Sequence, residues 1–235
     1  MTKLDDKKIS SALNILSNVT NELRYGEICK LDDCQMETYK KLLEDFKKLH
    51  NDNLKYNMSK NLHNLKGECL ESLVSHLLKV SGNIFYVDRN LRTSTNEIDQ
   101  VVCLTNMGKM LLGHNLINKK LDTFLCECKN YNKSISVTYI GKFCSLLLTN
   151  QIKLGIIFSY HGISGIGWRD GSGLVKKFYL SKENVEDRYC IINFSIKEFD
   201  SILNGKNLLQ IIDEQIKSLQ LDTDYSKYLQ KHPAE

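Results

Sequence analysis

EIDQVVCL (97–104) and LCECKNY (125–131) decide how this chain is read. Side chains alternate along a strand, so residues two apart share a face. In the second stretch Glu127 and Lys129 therefore point one way, while Cys126 and Cys128 point the other way with Phe124, toward a packed helix layer. In the first, Glu97 and Asp99 share a face that Val101 and Cys103 continue as apolar residues; Ile98, Gln100 and Val102 take the other. If the two strands are neighbours, Asp99 and Glu127 converge, because cross-strand Cβ atoms lie ~4.5–5.5 Å apart. Carboxylates that close repel each other unless a cation joins them. Hard oxygen ligands meeting at one point suit Mg²⁺ or Mn²⁺ rather than zinc. Lys129 belongs to the same group, where it can orient a water, help deprotonate it, or stabilise negative charge developing on a substrate.

A plainer reading competes with this one. A lone E-x-K on a solvated strand face is usually a surface ion pair of little energetic weight. Two acidic strands in succession, each otherwise strongly apolar, argue against that alternative. A third acid lies upstream in GECLES (67–72). On a helical wheel Glu71 sits at the edge of an apolar face beside Val74 and Leu78, with Gly67 one turn earlier allowing close backbone approach. A glutamate at such an edge is either a solvated flank, the usual habit of the residue, or a reach into a site.

Outward from these strands, hydrophobic periodicity organises the rest of the chain. Ile9, Leu13, Leu16, Val19 and Leu23 predict an amphipathic helix over 5–24, and Met36, Tyr39, Leu43 and Phe46 a second over 34–50. Together they read as an N-terminal helical hairpin able to dock on the main domain or on a second subunit. The polar NDNLKYN (51–57) marks the expected boundary, giving an accessory segment over 1–57 and a main domain over 58–235. Leu62, Leu65, Leu70, Leu73, Val74, Leu77 and Leu78 predict a long helix over about 60–80. IFYV (84–87), TFLCEC (123–128), LGIIFSY (154–160) and YCIINF (189–194) read as further strands, with a helix over 136–149 and one or two over 196–219, broken near Asn204–Gly205. The order predicts an α/β fold, a central mixed sheet flanked by helices.

In SVTYIGKFCSLLLT (136–149), Ser136 can cap the helix; Thr138, Lys142, Ser145 and Thr149 form one line, with Val137, Ile140, Cys144 and Leu147 opposite. GISGIGWRDGSG (162–173) lacks the Lys-Ser/Thr of a phosphate-binding loop and reads as a flexible loop near the site. The histidines are scattered; His161, just past the 154–160 strand, is placed to approach a substrate, and an ordinary loop histidine is the plainer reading.

Composition narrows the class. The chain has 235 residues, 42% hydrophobic and 26% charged, with a formal net charge of +4, mildly basic and compatible with nucleic acid but not diagnostic of it. No apolar run is long enough to span a bilayer, and MTKLDDKKIS lacks the hydrophobic core of an export signal, so a cytoplasmic protein without membrane partners is expected. The eight cysteines offer only one close pair, Cys126 and Cys128, with no second pair at zinc-binding spacing; they read as reduced core residues.

The ordered set Glu71, Glu97–Ile98–Asp99 and Glu127–Cys128–Lys129 resembles the PD-(D/E)XK nucleases, especially the Mrr-like restriction endonucleases, over about 66–165. Asp99 matches the first motif acid, Glu127–Cys128–Lys129 the (D/E)XK motif and Glu71 the acid on the preceding helix; Ile98 stands where the first motif has proline. The resemblance implies a restriction-endonuclease-like sheet and phosphodiester hydrolysis of DNA. It implies Asp99, Glu127 and Glu71 as ligands of Mg²⁺ (with Mn²⁺ as substitute), and a role in restriction or antiviral defence with a partner protein yet to be identified. Under that reading Thr138 and Lys142, and Arg89 and Arg92 in DRNLRT, are candidates to contact the DNA backbone. A homodimer would place two sites on opposite DNA strands. The competing expectations are a non-catalytic nucleic-acid-binding or assembly subunit that keeps the fold, and a nuclease of the same core directed at RNA or at particular structures.

Overall fold

A computed structural model describes residues 28–55, 60–92, 97–165 and 169–221. Its centre is a five-stranded mixed sheet in the order β1 (Phe85–Arg92), β2 (Glu97–Leu104), β3 (Thr123–Lys129), β4 (Leu154–Ser159), β5 (Cys190–Phe194). β1 pairs antiparallel with β2 and β2 antiparallel with β3, while β3, β4 and β5 run parallel. The connections dictate this: a short link joins β1 to β2, whereas β3–β4 and β4–β5 each need a helical crossover. Helices cover both faces, which explains why β4 is buried at every position.

One face carries Val102, Phe124, Cys126, Cys128, Ile156, Phe158, Ile192 and Phe194. It packs against α1 (Asp33–Lys55), α2 (Lys60–Val80), α6 (Ile196–Leu203) and α7 (Leu208–Leu221). The other carries Leu125, Ile157 and Ile191 under α4 (Val137–Thr149) and α5 (Gly171–Leu180). A short α3 (Asn106–Gly113) follows β2, its first turn held by the Thr105 side chain accepting from the Gly108 N–H.

Strand and helix readings between residues 97 and 221 match the sequence pattern, including the break between α6 and α7. Residues 5–24, the first helix of the expected hairpin, lie outside the described residues. The second forms α1, but as a layer of the main core: Tyr39, Leu43 and Phe46 are buried with the sheet, Tyr39 Oη donates to the Phe199 carbonyl at 2.8 Å, and Lys47 pairs with Asp200 at 2.5 Å.

The sequence reading missed α3 and α5. The segment read as a flexible loop is tied down where it is described. Ile135 N–H donates to the Gly162 carbonyl at 2.8 Å, Ser164 N–H to the Ile135 carbonyl at 2.9 Å, and α5 begins at Gly171. A Cβ at Gly171 would lie 2.7 Å from Ile163, so glycine is there for close packing. Ser136 occupies the cap position of α4, yet its hydroxyl makes no capping hydrogen bond, and Val137 is exposed on the helix face expected to be buried. Gly67 has open space around it, so no close approach explains it.

At the outer edge of β5, Gln215 from α7 takes the place of a neighbouring strand. The Asn193 N–H donates to its Oε1 at 2.9 Å, and its Nε2 donates to the Asn193 carbonyl at 2.6 Å.

Candidate active site

The β2–β3 register brings Gln100 opposite Cys126, so one step further Asp99 lies opposite Glu127. There the described ladder stops. The Cys128 N–H donates to Asp99 Oδ2 at 2.8 Å instead of to strand backbone. The aspartate thus ends the pairing and opens the sheet, while β3 stays paired with β4 as far as Lys129 and Ser159. A polar mouth forms at the carboxyl end of β3.

Lys129 bridges the two acids. Its Nζ lies 3.0 Å from Asp99 Oδ2 and 2.7 Å from Glu127 Oε1. Tyr139, in the first turns of α4, donates its hydroxyl to the same Glu127 oxygen. Every contact therefore falls on one oxygen of each acid: Oδ2 of Asp99 and Oε1 of Glu127. Among the described residues Asp99 Oδ1 and Glu127 Oε2 have no partner. The side chains of Asp99, Glu127 and Lys129 are 14%, 8% and 23% exposed, enough for a small ligand to reach them.

Glu71 approaches from α2, held by its own backbone: its carbonyl accepts from Arg89 at 3.2 Å and from Gln100 Nε2 at 3.4 Å. Its carboxylate feels Asp99 and Lys129 electrostatically but makes no hydrogen bond or ion pair with the described residues. Glu71 is thus near the pair and not joined to it.

Three carboxyl groups share this region with one ammonium. Burial raises the Glu127 carboxyl above its usual range and Asp99 adds to this, while Lys129 opposes it. Burial and then Asp99 raise Glu71, against the pull of Arg89 and Lys129. Burial works against the charge on Lys129, but Glu127 and Asp99 outweigh it and hold the ammonium well above its ordinary value. Burial and Glu127 push up the Tyr139 phenol, which stays a donor. The two acids thus favour the charged form of Lys129, and burial keeps the Cys126 and Cys128 thiols protonated.

Among the described residues no three His, Cys, Asp or Glu side chains converge closely enough to hold a metal by themselves. The donor set nevertheless fits a hard divalent cation. Two carboxylates share one face, each with a free oxygen, and the local charge is under-compensated.

The candidate backbone contacts divide. Thr138 and Lys142 lie on the exposed face of α4 and line a shallow pocket with Tyr131, Lys133, Ser134 and Tyr139, beside Glu127. Arg89 turns back onto α2, its Nε donating to Ser75 Oγ at 2.5 Å. The side chains of Arg92 and Glu97 lie outside the described ones.

Sequence reasoning missed Tyr139 and the Cys128 N–H. An aromatic in the first turns of a helix that follows the acidic strand was the available signal for the first. The second is a backbone group and leaves no mark in the sequence.

Comparison with protein-family models, curated proteins and solved structures returned no match for this chain. Among the described residues no helix is long and apolar enough to cross a membrane.

Proposed function

We propose that this protein is a metal-dependent endonuclease of the restriction-endonuclease-like class, hydrolysing phosphodiester bonds in DNA with Mg²⁺, or Mn²⁺ in its place, in restriction or antiviral defence. The observation that carries the reading is the meeting of Asp99, Glu127 and Lys129 on one sheet face, each acid using a single oxygen for internal contacts. Asp99 and Glu127 would hold the cation, with Glu71, which feels the Asp99 charge, as a further candidate ligand. When bound, a divalent cation polarises a phosphoryl oxygen and lowers the pKa of water.

The chain's own residues do the rest. Asp99 is anchored by the Cys128 N–H, so its free oxygen points in a fixed direction. Tyr139 fixes the Glu127 carboxylate in the same way. Lys129, held beside both acids, would stabilise the negative charge that builds on the phosphoryl oxygens as water attacks. Thr138 and Lys142 support a path for the DNA backbone along the exposed face of α4.

Supercoiled plasmid DNA and a single-stranded RNA, incubated with the purified protein in Mg²⁺, Mn²⁺ or EDTA, test the reading. Nicked or linear plasmid in either metal, absent in EDTA and absent with Asp99→Ala, is expected. Intact DNA in both metals, with binding retained, would leave a non-catalytic nucleic-acid-binding subunit; cleavage of RNA alone would move the substrate class.

A further inference from the structure

His50 on α1 is fully buried, and both of its ring nitrogens have side-chain partners. Its ring stacks on Tyr160, centroids 3.6 Å apart and planes 3° from parallel. Its Nδ1 lies 2.9 Å from Asn130 Oδ1, and its Nε2 lies 3.1 Å from His161 Nε2. Asn130 is oriented by its Nδ2, which donates to the Lys66 carbonyl at 3.3 Å.

With His50 neutral, these contacts set where each proton lies. Asn130 Oδ1 accepts, so His50 carries its proton on Nδ1. Its Nε2 is then an acceptor, and His161 must donate from Nε2. Among the described residues the second nitrogen of His161, Nδ1, has no partner, and His161 is exposed where His50 is not. A protonated His161 keeps both bonds, Nε2–H to His50 and Nδ1–H outward.

The backbone carrying His161 is equally constrained. Gly162 has φ +73°, and a Cβ there would lie 3.0 Å from the Asn193 side chain. Its N–H donates to Ser159 Oγ at 2.9 Å, and the Ile163 N–H to Asn193 Oδ1 at 3.1 Å. An exposed imidazole with this much buried support is preorganised for contact. It also stands just past β4, next to the strand end that bears Lys129, and ligands of open α/β sheets bind at the carboxyl ends of parallel strands.

Resting on the nuclease reading above, we infer that His161 binds a backbone phosphate of the DNA strand beside the cleaved position, through Nδ1–H, with His50 and Asn130 as the positioning residues. The other titratable or charged groups facing the pair are Lys66 from α2 and the Tyr160 phenol. Burial, followed by the charges of Lys66 and His161, lowers the His50 pKa against the pull of Asn130, so His50 favours the neutral form in which its Nε2 accepts.

Binding of fluorescein-labelled duplex DNA in EDTA separates this site from catalysis. Wild-type affinity should rise from about pH 8 to about pH 6 as imidazole charges. His161→Ala should bind about three- to tenfold more weakly at the lower pH, with a log–log salt slope shallower by about 0.9, the loss of one phosphate contact. His161→Arg should restore affinity at both pH values and lose the pH dependence. His50→Phe keeps the stack on Tyr160 but removes the acceptor, and should behave like His161→Ala. Unchanged affinity and salt slope in His161→Ala at the lower pH would overturn the inference while leaving the nuclease reading intact. Failure of the wild type to bind DNA at any pH would overturn both.

Discussion

Lys129 and Asp99 touch each other, but removing them should break the site in different ways. Asp99→Ala deletes a carboxylate oxygen that would face the proposed cation, so calorimetric titration should show weakened Mg²⁺ or Mn²⁺ binding together with lost cleavage. Lys129→Ala deletes no ligand. Metal should still bind, and plasmid nicking should slow by about 10²–10³, the scale of one preorganised electrostatic group. Wild-type cutting by either variant would remove the assigned site. Tyr139 sits one step back. Tyr139→Phe keeps the ring against Tyr131 and removes only the hydroxyl that pins Glu127. A hydrogen bond to a charged group contributes about 1.5–3 kcal/mol to stability, so the variant should be less stable by up to that amount, and turnover should fall because Glu127 is no longer pinned. A variant as fast as wild type would show that Glu127 is oriented by Lys129 alone. Asp99, Glu127 and Lys129 were legible in the sequence because a two-residue period on apolar strands exposes any misplaced charge. Tyr139 and His50 were not, because each reaches the site from a different helix and looks ordinary within its own.

Elements that the sequence revealed share one property: their buried faces follow the strand or helix period without interruption. β2, β3 and β4 alternate or run continuously apolar, and α2 carries a broad leucine face. α3 and α5 escaped because glycines stand where a helix pattern would start. Gly171 and Gly173 open α5, and Gly108 lies inside α3, where a Cβ would approach the Ile84 carbonyl to 2.5 Å. Their glycines serve packing against another element, a demand that local pattern does not encode. The same close packing sets how α4 rests on the sheet. A Cβ at Gly155 in β4 would lie 2.5 Å from Phe143 Cε1 and 3.0 Å from Leu147 Cδ1, both on α4. Gly155→Ala should therefore push α4 outward and destabilise the protein by about 1–3 kcal/mol. Urea unfolding reads the stability. Because α4 carries Tyr139, cleavage should suffer too, at denaturant concentrations where the fold is still intact. An unchanged urea midpoint would show that Phe143 swings aside freely.

The whole molecule feels its active site as a pH-dependent load. Glu71 and Glu127 have carboxyl groups raised above the ordinary value of 4.5, so the folded chain binds protons more tightly than the unfolded chain does. Their contribution to stability is present at low pH and lost as pH rises through the folded values. His50 is lowered from 6.5, so its contribution is present above that value and lost as pH falls through the folded one. Metal-free protein should thus lose stability on both sides of a mildly acidic optimum. A cation on the carboxylates relieves the neutral-pH side. At a hundred times its Kd it adds about 2.7 kcal/mol, which for a chain of this size is a rise in Tm of roughly 5–10 °C. Scanning calorimetry with Mg²⁺ or EDTA should show that rise near pH 7.5 and a smaller one near pH 5, where protons compete with the cation. An equal rise at both pH values would place the cation elsewhere. The far edge of the sheet bears on a different matter, the assemblies open to this chain. Gln215 answers the Asn193 N–H and carbonyl as a sixth strand would, so the β5 edge is already paired at Asn193. Strand-by-strand joining of copies is then disfavoured on the β5 side relative to the β1 side. A polymer needs two sticky ends on each unit, and a unit with one can only pair and stop, so the glutamine acts on this sheet as a chain terminator.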